Sequence, residues 1–263
     1  MRIPQLHMVR GSRVRPGYTR SSTVTSQGGL NMKGIVGLIG LTTIVAIASM
    51  APQSLAKEDA DTKLGERLVD AKAVYQELLS TPDRSVPQEL QENCKCIVVI
   101  PGMIKGALGF GARWGKGVMS CRNGQGGWSP PIFVSLKGGS WGLQIGAEKT
   151  DLVLFFMTER GARSLVTSSK FTLGGKVSVA AGPVGRSGEA STDLKLNAEI
   201  YSYAKSKGLF AGISLEGARL APQKDANEEY YGKPIRVQDI LFGHNPPVVR
   251  AEAKEFIAAL PQG

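Results

Sequence analysis

The residues best suited to chemistry in this chain are basic side chains beside aromatics and glycines: Lys105, Arg113 next to Trp114, Lys116, Lys137 near Trp141, Arg186, and Lys205 and Lys207 near Tyr203. Guanidinium and ammonium groups donate to phosphate oxygens, and an aromatic ring sits well at the level of lipid headgroups. Singly, each is an ordinary surface residue; together they point to an anionic lipid surface. An enzyme would leave a nucleophile, a base or a metal set, and little of that kind is present. His244, the sole histidine after residue 56, stands in a Phe-Gly-His-Asn-Pro-Pro turn, so a Ser-His or Cys-His device would have to be built on a turn residue. Gly106, Gly109, Gly111, Gly115 and Gly117 do not make a phosphate loop, because Gly117 takes the Ser/Thr place and no long helix follows. They read instead as bulges or close backbone crossings in a tight sheet. Glu228 and Glu229 fall on a solvated helix and support no glycosidase assignment. The expectation is a binding module with no cofactor and no enzymatic activity.

Cys94, Cys96 and Cys121 leave two readings open. A Cys-x-Cys pair on one strand would close an awkwardly small ring, so Cys96 with Cys121 is the better bridge if their strands are neighbours. Equally, all three are small apolar residues that fill buried strand positions. Zinc would need a fourth ligand, and His244 is remote in sequence.

These residues belong to a chain whose first 56 positions read as a leader. Lys33 precedes an uncharged run from Gly34 to Met50, and Ser54-Leu-Ala56 supplies small residues at the −3 and −1 positions. The pattern predicts export to the periplasm or medium, with cleavage after Ala56 and a natural start at Met32. The alternative is an uncleaved anchor, since the run lies near the lower length limit for a spanning helix. The leader holds six basic residues and no acid, which leaves residues 57–263 with a net charge of +4. That charge suits weak attraction to an anionic surface and is too mild to imply nucleic acid. The length that remains suits one domain.

Residues 61–80 place Leu64, Leu68, Ala71, Tyr75, Leu78 and Leu79 on one face of an amphipathic helix. After a break at Thr81-Pro-Asp83, Ser85 and Gln88 form a capping box for a short helix to about Asn93. From Cys96 the texture changes to short apolar runs punctuated by glycine, with strands expected at 96–100, 107–114, 116–122, 132–136, 142–147 and 151–156. Turns are expected at Asn123-Gly124, Gly126-Gly127 and Lys137-Gly-Gly139. Thr158 is placed to cap a helix to about Val166. A second strand region covers 171–184 and 198–220, with a hairpin turn at Lys205-Ser-Lys-Gly208. Helices close the chain at 226–231, 237–242 and 247–260, the last with Val249, Ala253, Phe256 and Leu260 on one stripe. The fold class is α+β: a curved antiparallel sheet or partial barrel flanked by N- and C-terminal helices.

At Ile97-Val-Val-Ile-Pro101, Gly109-Phe-Gly-Ala-Arg-Trp-Gly-Lys-Gly-Val118, the block from Gly127 to Thr158, Ala180-Ala-Gly-Pro-Val-Gly-Arg186, Tyr201 to Gly217 and Tyr230-Tyr-Gly232, the sequence closely resembles the SYLF family of actin-patch lipid-binding domains. The resemblance runs from about Leu64 to Leu260. It implies binding of phosphoinositides or other acidic phospholipids, without a catalytic centre. Eukaryotic members add SH3 or FYVE modules, and some bind actin. The leader marks this chain as similar to a bacterial exported form, which would meet neither actin nor, as physiological ligands, phosphoinositides. Cys94 and Cys96 depart from the small residues usual before the Ile-Val-Val-Ile-Pro run. A protein-interaction domain of the cell envelope is the second reading.

Overall fold

The computed structural model describes residues 51–80, 86–108, 110–124, 126–141, 146–168, 171–184, 197–206 and 208–262. The expected apolar run at 34–50, the break at 81–83, Ser85, Arg186 and Lys207 lie outside the described residues. The first helix, α1 (Ala51–Ser80), starts earlier than expected and runs across Ala56. Its buried stripe is Leu64, Leu68, Ala71, Val74, Tyr75 and Leu78; Leu79 falls outside it and is exposed. In α2 (Gln88–Asn93) the N-cap is Pro87, with no side-chain cap, so Gln88 opens the helix and cannot close the expected box.

Four long strands make the centre of the sheet: β1 (Cys96–Leu108), β2 (Phe110–Cys121), β3 (Ile132–Trp141) and β4 (Gly146–Phe156). The expected strand at 107–114 contains the β1–β2 turn, where Leu108 pairs with Phe110. The expected turn at Lys137-Gly-Gly139 is interior to β3, because Gly138 and Gly139 face Arg113 and Ala112 of β2. After α3 (Glu159–Thr167) come β5 (Phe171–Thr172), β6 (Val179–Ala181), β7 (Ile200–Ser206), β8 (Leu209–Gly212) and β9 (Arg219–Pro222). The Thr158 hydroxyl caps α3 by accepting from Gly161 N at 3.2 Å. The strand order is β5-β9-β3-β2-β1-β4-β7-β6, with β8 also on β7. All pairs are antiparallel except β6 with β7, so the curled half-barrel is a mixed sheet. The chain ends in α4 (Lys224–Tyr231), α5 (Val237–Phe242) and α6 (Ala251–Ala259).

Both faces of this sheet are covered, as its near-continuous apolar strands require. One side, with Val98, Met119, Val134, Leu154 and Phe156, packs on Ala162 and Leu165 of α3 and Ile240 and Leu241 of α5. The other, with Ile97, Val99, Val118, Phe133 and Phe155, packs on α1 and on Ala253 and Phe256 of α6. Lys72 of α1 and Glu255 of α6 pair at 3.0 Å across their exposed edge. Cys96 and Cys121 are cross-strand partners on the α3 side and form a disulfide. Cys94 is a free buried thiol on the α1 side. Burial pushes its pKa up to about 12, so it stays protonated and a poor nucleophile at neutral pH.

One irregularity governs the site. Against β4, Ile100 pairs with Leu152 but Met103 pairs with Thr150, so Pro101 and Gly102 together oppose Asp151. Gly102 adopts φ 57° in this bulge. Its N–H donates to Asp151 Oδ1 at 2.8 Å. The bulged backbone presses on β2, where a Cβ added to Gly117 would lie 2.0 Å from Val99 O and 2.7 Å from Ile100 Cα.

Candidate functional site

Residues directly opposite one another in an antiparallel ladder share a face. Lys149 of β4 opposes Ile104, Ile104 opposes Trp114, Trp114 opposes Lys137, and Lys137 opposes Arg219. The five residues therefore form one row across the sheet, about 19 Å long at about 4.8 Å per strand. By the alternation that puts Val118 and Phe133 on α1, this row lies on the α1 side. Trp114 stands near its middle, 48% exposed; Lys137, Lys149 and Arg219 are exposed around it.

The row continues into a groove between the sheet and α1. Lys63 and Arg67 of α1 meet Trp114 and Lys116 there, with Glu66 and Asp70 on the helix side. Arg67 is the fixed member. Its guanidinium lies 5.5 Å from the Phe133 ring centre, and Nη1 donates to Gln223 Oε1 at 3.3 Å. Burial lowers its pKa from the usual value, though a guanidinium remains charged. The groove can receive an anionic oxygen against a cationic rim and an indole edge.

Of the residues singled out in the sequence, Lys116 and Lys137 lie in this row and groove. Lys105 and Arg113 oppose each other and share the other face, because the bulge reverses the sidedness of β1. Arg113 is half-buried, and its Nη1 donates to Ser214 O at 3.2 Å. Its Nε is buried without a hydrogen-bond partner. Lys205 is not an available cation, since its ammonium is paired with Glu77 of α1. Tyr203 is not an interfacial ring either: it is fully buried, with its hydroxyl donating to Pro183 O at 2.8 Å. Lys63, Arg67, Lys149 and Arg219 were missed, because only cross-strand register and helix docking bring them to Trp114.

A second concavity, of about 500 Å³, opens at the other end of β2 and is lined by Arg122, Trp128, Arg163, Leu241, Phe242 and His244 among others. His244 thus lines a cleft and lies in the turn after α5.

Residues 137–262 match the sequence profile of the Ysc84 family, described as a Las17-binding protein actin regulator. Over 171 residues the chain is 38% identical to SH3 domain-containing YSC84-like protein 1 of Rattus norvegicus, an alignment covering 65% of this chain and 50% of that one. The Xenopus laevis protein of the same name is 38% identical over 181 residues, 68% of this chain and 53% of the relative. LAS seventeen-binding protein 3 of Saccharomyces cerevisiae is 34% identical over 209 residues, 78% of this chain and 44% of the relative. The chain spans about half the length of these curated relatives.

Proposed function

Because the chain belongs to the Ysc84 family through residues 137–262, we propose that it is a non-enzymatic binding domain that docks on anionic phospholipid surfaces through the Trp114 row. The observation that carries this reading is the half-exposed indole of Trp114 set among Lys137, Lys149 and Arg219, with Lys116, Lys63 and Arg67 beside it. An indole takes the headgroup level of a bilayer, and each cation near an anionic surface contributes about 1 kcal/mol. Co-sedimentation of the full chain with phosphatidylcholine vesicles, with and without phosphatidylserine or a phosphoinositide, tests the proposal. Binding is expected only to the anionic vesicles and is expected to fade as salt rises, because exposed charges are screened over about 8 Å at physiological ionic strength. Equal binding to neutral vesicles would overturn it.

The family description names Las17 binding and actin regulation, which favours protein interaction as the competing reading. Failure to bind vesicles of any composition would leave that reading in place.

We also infer that the protein is exported, from the basic, apolar and small-residue segments between Lys33 and Ala56. Expression in a bacterial host is expected to yield extracytoplasmic protein beginning at Lys57. Recovery of membrane-bound protein with its leader intact would instead support an anchor.

A further inference from the structure

We propose that the cleft at the end of β2 binds a monomeric organic acid: one carboxylate on a compact apolar body. Its volume of about 500 Å³ falls within the range of small-ligand pockets. Two guanidiniums face it, each laid on an aromatic ring. Arg122 Cζ is 4.8 Å from the Trp128 ring centre, and Arg163 Cζ is 4.6 Å from that of Phe242.

Stacking of this kind fixes the plane of the cation, so that N–H groups not already engaged can hydrogen-bond a planar carboxylate. Arg122 is further held by Nε donating to Cys94 O at 3.1 Å and by one terminal nitrogen reaching the carbonyls of Gln91 and Glu92. Arg163 is half-exposed at the rim and donates to Glu159 Oε1 at 2.8 Å. Because Glu159 offsets one of the two arginines, the lining carries one positive charge in excess, which matches a monoanion better than a multiply charged phosphate ester. Trp128 and Leu241 are buried apolar walls, and such surface gains by covering the ligand's carbon skeleton.

This cleft is distinct from the Trp114 row. Lys116 lies six residues back along β2 from Arg122, about 20 Å at about 3.3 Å per residue.

The proposal is tested by calorimetric titration of the full chain with 2-naphthoate and with 2-naphthylmethanol, a neutral counterpart of similar shape. The acid is expected to bind saturably and at least about tenfold more tightly than the alcohol, as a charge-assisted hydrogen bond requires. Arg163→Glu is expected to weaken the acid at least about tenfold, and the milder Arg163→Gln about threefold or more. Arg163 is at the rim, so both variants should fold; circular dichroism checks this, and Arg163→Gln alone decides the matter if Arg163→Glu does not. Lys116→Ala should leave naphthoate binding unchanged, and Arg163→Glu should leave vesicle binding unchanged. Absence of saturable binding by the parent, equal binding of acid and alcohol, or unchanged binding in a folded Arg163 variant would overturn the proposal. Loss of vesicle binding in folded Arg163→Glu would also overturn it, by making the cleft part of a membrane surface.

Discussion

Replacing Lys116, Lys137 and Lys149 together with alanine is expected to weaken binding to anionic vesicles by roughly a hundredfold at low salt. The three side chains are exposed on the α1 side of β2, β3 and β4, strands that lie within four consecutive positions of the sheet, so one anionic surface can meet them together. At about 1 kcal/mol per cation the combined loss is about 3 kcal/mol, and it should shrink as salt is raised. Thermal stability should change little, because none of the three fills the core. A matched set separates the face from general basicity. Lys105→Ala with Arg113→Ala removes two cations from the opposite side of the same sheet, and it should leave vesicle binding near the parent value. If the Lys116, Lys137 and Lys149 variant binds like the parent, the Trp114 row is not the membrane surface. If the Lys105 and Arg113 pair has the larger effect, the docking face is the other one.

The largest effect on stability is expected from Gly117→Ala. The added methyl would meet main-chain atoms of Val99 and Ile100 at 2.0 and 2.7 Å, and backbone cannot swing aside as a side-chain tip can. Relief requires β1 and β2 to separate at the bulge, at a cost of about 3 kcal/mol or more. For a domain of this size that corresponds to a fall in melting temperature of roughly 6 to 12 °C. Gly139→Ala is the control: its methyl would find no atom closer than 4.0 Å, and its effect should stay within about 0.5 kcal/mol. Equal melting curves for the two variants would show that the close approach of the strands is not a constraint on the fold.

The elements were largely legible in the sequence, and the faces were not. The helical stripe ending at Leu78, the cap at Thr158 and the helix Val237–Phe242 follow from short-range periodicity and turn chemistry, which a sequence states directly. Misplacements arose where a distant partner decides. Gly138 and Gly139 look like a turn by composition, yet pairing with Arg113 and Ala112 of β2 keeps that stretch extended. Lys205 looks like a loop cation until Glu77 reaches it from α1. Asn227, on what reads as a solvated helix, is fully buried. It accepts from Phe133 N at 2.8 Å and donates to the carbonyls of Phe133 and Gln223. A polar residue can be buried this way because its hydrogen bonds are satisfied, and no local pattern announces those partners.

The extra residue at Pro101-Gly102 works as a parity switch in the chain. Before it, the odd-numbered Ile97 and Val99 face α1; after it, the even-numbered Ile104 does. Since sidedness in a strand has a period of two, the same residues run as a regular strand, without the bulge, would turn Lys105 toward Trp114 and send Ile104 to the side of Arg113. The charge carried by each face would then change with no substitution at either face. The backbone bulge at Pro101-Gly102 thus decides which surface of this sheet Lys105 is addressed to.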